Sequence, residues 1–168
     1  MAFEPVSSPI KVVTKRKTFV GTSAGGGVIF EGRTDGDDVL TCNYSGGTLR
    51  IVRTMDASGK RSNTLAAVDE AGRDLARIDT QSRVWDLRLP SGESFPVSGG
   101  RARLTGYSSA VGDFASAKAP YLAPQRYVTL TLTDAFLQRP DRDVLAVIVA
   151  WAAEDRISSA ISTNQVAS

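Results

Sequence analysis

Residues Val144 to Ala153 read VLAVIVAWAA, a run without a single polar side chain. Asp141-Arg142-Asp143 precedes the run and Glu154-Asp155-Arg156 follows it. An element built from such a stretch has no stripe to turn toward water, so it must be covered on every side. No other part of the chain is so apolar, which makes the remainder the covering.

Two conformations compete for that run. Val144, Val147, Ile148 and Val149 are β-branched and favour a strand. Ala146, Ala150, Ala152 and Ala153 are strong helix formers, and the run is longer than a usual buried strand. Asp141, directly after Pro140, suits an N-cap. The acids at the start and Arg156 beyond the end complement a helix dipole, whereas Glu154 and Asp155 oppose it. The balance predicts a helix from about Asp141 to about Ser158, with Val144, Leu145, Val147, Ile148, Val149 and Trp151 as its core positions. At a rise of about 1.5 Å per residue, its apolar part covers only about half of a bilayer core. That predicts a buried core helix and no transmembrane segment.

The 168 residues suit one domain. The N-terminal MAFEPVSSPIKVV lacks a basic region followed by a long apolar run, so no secretory signal is read and the expected location is the cytoplasm. A net charge of +2 does not imply a nucleic-acid partner, and none is expected. There is no histidine and a single cysteine, Cys42. Cys/His zinc sites, Ser-His-Asp hydrolases and Cys-His hydrolases therefore cannot be built. Cys42 reads as a small core residue, with a reactive thiol as the alternative. Neither a cofactor nor a metal is expected.

Residues 1–10, with Pro5 and Pro9, suit a loose arm. Lys11 to Val20 reads as one strand-like run carrying Lys11, Lys15, Arg16 and Lys17. Residues 1–18 are thus an arm with a basic first strand. The four cations suit either a solvated strand face and turn or a patch for anionic lipid or phosphate, worth about 1 kcal/mol per basic residue at a charged membrane. Gly21 to Gly27 resembles a phosphate loop only in glycine content. No GK[ST] follows, and Val28-Ile-Phe-Glu31 reads as a strand, which leaves a flexible connection. Asp35, Asp37 and Asp38 lack the downstream glutamate of a calcium loop.

From Val28 onward, short apolar or alternating runs are separated by turn residues: Val28–Glu31, Val39–Tyr44, Thr48–Thr54, Asn63–Val68, Leu75–Ile78, Arg83–Leu89, Ser94–Val97 and Arg101–Thr105. These are β-hairpin signals, and Trp85 falls at a core position in one of them. Residues 106–124 read as one long irregular segment. Arg126 to Thr133 then alternates strictly, with Val128, Leu130 and Leu132 against threonines. Ser162 to Ser168 reads as a disordered polar tail. So many antiparallel hairpins with so little helix predict a sandwich or a barrel.

The hairpin run, the RVWDLRL and RYVTLTLTD strands and the DVLAVIVAWAAEDR helix together resemble the tubby C-terminal-like superfamily, in particular its LURP-one-related and scramblase-like branch. The resemblance covers roughly Phe19 to Ile161. It implies a mainly β fold, a closed antiparallel barrel of about twelve strands around one C-terminal hydrophobic helix, over residues 19–161. It also implies phosphoinositide binding through basic residues on the outside of the barrel. The cysteine-rich and calcium-binding segments of scramblases are absent, so lipid scrambling is not implied.

A helix that fills the barrel leaves no ligand cavity, which sends function to the outer surface and the loops. The leading expectation is a non-enzymatic binding module acting at an anionic phospholipid surface, peripheral to the membrane, or as an adaptor for another protein. Lys11, Lys15, Arg16 and Lys17 are its candidate site. One alternative is an assembly subunit of a larger particle, reaching neighbours with its arm and tail. Another is a carboxylate-based enzyme using the 106–124 segment, with Asp113 beside Tyr107 or Tyr121.

Overall fold

The computed structural model describes residues 2–35, 39–55, 57–80, 84–98, 103–108, 112–118 and 127–167, with backbone alone at 61, 63, 103–108, 112–118 and 155–167. It is mainly β, with a C-terminal helix. The strands are β1 (Ile10–Lys15), β2 (Thr18–Thr22), β3 (Val28–Asp35), β4 (Val39–Tyr44), β5 (Gly47–Met55) and β6 (Arg61–Val68). They continue as β7 (Asp74–Asp79), β8 (Trp85–Arg88), β9 (Ser94–Ser98), β10 (Arg103–Ser108), β11 (Gly112–Lys118) and β12 (Tyr127–Leu132). A single-turn helix α1 (Asp134–Leu137) and the long α2 (Arg142–Ala167) complete the chain.

All pairings are antiparallel and follow chain order from β2 to β12. β1 pairs with β2, Lys15 opposite Thr18, and with β12, Ile10 opposite Leu130. Burial follows the two-residue period that the pleat demands. In β12 Val128, Leu130 and Leu132 are buried while the threonines between them are not, and in β9 Phe95 and Val97 are buried while Pro96 is exposed.

The buried face of the sheet meets α2. Leu145 to Ala150, Ala152 and Ala153 are all buried, so the helix is covered on every side over Leu145 to Ala150. Val144 and Trp151 are only partly buried, the two exceptions among the expected core positions. The helix touches β1, β7, β10 and β12. The carbonyl of Asp141 accepts the first helical bond, from Leu145 N–H at 3.1 Å, which is the N-cap role expected of it. The direction of α2 follows from its neighbours. Its second residue, Asp143, acts electrostatically on Tyr44 at the end of β4. Trp151 meets Phe19, the second residue of β2, edge-on at 5.2 Å, and Phe19 in turn stacks on Phe30 at 5.2 Å. The helix therefore runs from the end of the sheet holding Tyr44 toward the end holding the β1–β2 turn. It carries one buried charged side chain among the described residues, Glu154.

Four expectations are corrected. The strand-like run Lys11 to Val20 is two strands joined by the turn its cations suited, because Arg16 takes a left-handed φ of 56° and reverses the chain. The described part of the segment 106–124, residues 106–108 and 112–118, is strand, paired as β10 and β11, with residues 109–111 and 119–124 outside the described residues. Its small residues carry little strand preference of their own, and pairing with β9 and β12 imposes the conformation. The tail expected to be disordered at 162–168 belongs to α2 as far as Ala167, beyond the expected end near Ser158; no glycine or proline lies there to stop a helix.

The N-terminal arm is docked, which is the fourth correction. Glu4 N–H donates to Val28 O at 2.8 Å, Val6 is buried, and Ser8 Oγ accepts from Leu132 N–H at 2.9 Å. Gly21, expected in a flexible connection, is a buried β2 residue. A Cβ there would clash with the edge of the Phe30 ring.

Candidate functional site

β1 places Ile10 and Val12 inward, so Lys11 and Lys15 face outward. Arg16 and Lys17 form the turn and are exposed. Two neighbours brace that turn: Thr18 Oγ1 donates to Lys15 O at 2.7 Å, and Thr34 N–H on β3 donates to Lys17 O at 2.9 Å. Lys11 stands apart, with its ammonium 4.6 Å from the centre of the Tyr127 ring, a cation–π contact. Lys15, Arg16 and Lys17 have no ion-pair partner among the described residues.

Strand register extends this basic surface. Lys15 lies opposite Thr18, Thr18 opposite Arg33, Arg33 opposite Thr41, and Thr41 opposite Arg50. The row crosses five strands, about 19 Å at the usual strand spacing. Arg33 and Arg50 are exposed. Sequence reasoning missed both, since only pairing register brings residues 15, 33 and 50 into line.

The row ends at a cleft of about 390 Å³ lined by Thr41, Thr48, Arg50, Asp69, Glu70, Ala71 and Gly72. Its wall is the β6–β7 turn. Asp69 Oδ1 accepts from the N–H groups of Ala71 and Arg73, both at 2.9 Å, and its Oδ2 accepts from Arg73 Nε at 2.9 Å. The Arg73 backbone N–H, ahead of its guanidinium and the Ala71 N–H, holds the Asp69 carboxyl below its usual range. Thr48 Oγ1 donates to Asn43 Oδ1 at 2.7 Å.

The enzyme alternative gains one backbone fact: Tyr107 and Asp113 are opposite each other in the β10–β11 pair. Tyr121 lies outside the described residues, as do Asp37 and Asp38. Among the described residues no group of three potential metal ligands converges. Cys42 is buried, and burial pushes its thiol up to about 12, which removes the thiolate that reactivity requires. No described helix is long and apolar enough to cross a membrane.

At the opposite end of the sheet from the basic turn, Arg139 clasps two acids. Its Nη1 and Nη2 meet Glu93 at 3.0 and 2.9 Å, its Nε and Nη2 meet Asp141 at 2.9 and 3.1 Å, and its guanidinium lies 4.9 Å from the Phe95 ring centre. All its charge is used within the fold, so it ties the β8–β9 turn to the start of α2 and leaves nothing for a ligand.

No protein-family model matches the chain, and neither a curated protein nor a solved structure matches it.

Proposed function

We propose that the chain is a surface-acting binding module of the tubby-like kind, a closed barrel filled by α2 that attaches to anionic phospholipid at the cytoplasmic face of a membrane. The barrel reading rests on β1 having partners on both sides, in β2 and β12. The single observation that carries the functional reading is the set Lys15, Arg16 and Lys17: three adjacent exposed cations on one braced turn, with no acid of the described residues neutralising them. Unpaired cations attract a negative surface at about 1 kcal/mol each.

Apolar side chains at the same end of the sheet add to it. Met55, at the end of β5, and Val84, just before β8, are the exposed large hydrophobic residues among those described. Antiparallel pairing puts both at the end that carries the β1–β2 turn.

Vesicle co-sedimentation tests the reading. The chain sediments with phosphatidylcholine vesicles containing phosphoinositide at low salt, and not with phosphatidylcholine alone. Charge reversal in K15E/R16E/K17E weakens binding by a hundredfold or more, since three contacts of about 1 kcal/mol each are lost and three repulsions added. Equal binding of the variant, or no binding of the wild type at low salt, overturns it.

A further inference from the structure

The β4–β5–turn cleft is independent of the membrane reading, and its charge inventory selects a different ligand. Arg50 lies on its floor with no acid partner among the described residues. Thr41, directly opposite Arg50 across the β4–β5 pair, adds a hydroxyl. Asp69 is consumed by Arg73 and two backbone N–H groups, so as a pair they contribute no net charge to the wall. Glu70, exposed at the tip of the same turn, is unpaired. One free cation on the floor and one free anion on the rim leave the cleft close to neutral. A bare polyanion is repelled by Glu70 and a bare amine by Arg50, whereas a molecule bearing both charges satisfies both.

We propose that this cleft binds a small zwitterion, an anionic oxo group joined by a short linker to an ammonium, with the anion on Arg50 and Thr41 and the ammonium on Glu70. The guanidinium fork matches the paired oxygens of a carboxylate or phosphate. The volume of about 390 Å³ is at the small end of ligand pockets. The wall is already rigid in the free protein: besides the Asp69 side-chain bonds, Asp69 N–H donates to Arg73 O and Gly72 N–H donates to Asp69 O, both at 3.0 Å. Little ordering cost remains for binding to meet.

The test is a set of titrations of the full chain, followed by amide chemical shifts, with O-phosphoethanolamine, β-alanine, inorganic phosphate and ethanolamine. The first two compounds separate phosphate from carboxylate as the anionic group. At least one zwitterion gives saturable shifts in the β4–β5 and β6–β7 resonances, binding tenfold or more tightly than phosphate or ethanolamine alone. Arg50→Gln weakens it at least tenfold; Glu70→Gln weakens it several-fold and leaves phosphate binding unchanged. Both side chains are exposed, so an unchanged melting temperature separates lost binding from lost folding. No saturable shift with either zwitterion, phosphate binding as tightly as both, or an Arg50→Gln variant that binds normally would each overturn the proposal. K15E/R16E/K17E leaves these titrations unaltered, so failure here and failure on vesicles are read separately.

Discussion

Cys42 shows how one position on the buried face sets a pH response. Its thiol is held up to about 12 from an ordinary 9.0, chiefly by burial. In the unfolded chain the thiol ionises from about pH 9, while in the folded chain it stays protonated until about 12. This contribution is therefore complete below pH 9 and is lost as pH rises through that window, at up to about 1.4 kcal/mol per pH unit. Melting temperatures taken from pH 8 to 11 should fall more steeply for the wild type than for Cys42→Ala; parallel curves would show that the thiol is not buried as described. Of the other residue-level expectations, Trp85 is buried as expected. Trp151 is only partly buried, where it meets Phe19 edge-on. Ala152 and Ala153 beyond it are buried again, so an apolar run shows that its residues avoid water, but not which one of them the covering leaves partly open.

The hairpins were legible because two signals coincide, a period of two and turn residues at each reversal. Val39–Tyr44 is read from the sequence with the same bounds that β4 has in the structure. The β10–β11 hairpin escaped because GYSSAVGDFASAK alternates weakly, and its strands are specified by their neighbours. The zwitterion cleft escaped for a different reason. Thr41, Arg50 and Glu70 sit on separate elements, and only the register of β4 with β5 and the rise of the β6–β7 turn bring them together. A connection between elements also carries the clearest local prediction. Arg139 is 17% exposed and fully engaged with Glu93 and Asp141. Arg139→Ala should cost about 1–3 kcal/mol in urea unfolding, the range for partly screened charge-assisted bonds. Arg139→Lys should recover little of it, because an ammonium cannot reproduce the fork. A wild-type midpoint in the alanine variant would contradict the clasp.

For the whole molecule, the N-terminal segment and the long helix do opposite work on one sheet. The arm is tied down where Ser8 meets Leu132 and Glu4 meets Val28, and α2 packs on the buried face of the sheet. Removing residues 2–8 should lower stability by about 2–4 kcal/mol, from the lost burial of Val6 and the orphaned Leu132 N–H. An unchanged urea midpoint in the shortened chain would mean that the arm is not docked.

The position of α2 in the chain also sets a timetable for synthesis. Every strand leaves the ribosome before the segment that packs on their buried face, and at about 5–20 residues per second the first strand waits on the order of ten seconds for it. Throughout that wait the inward valines, leucines and phenylalanines have nothing to close upon. Until residues 142–154 emerge that apolar face stays uncovered, and translation pauses just upstream of Arg142 would prolong its exposure to aggregation.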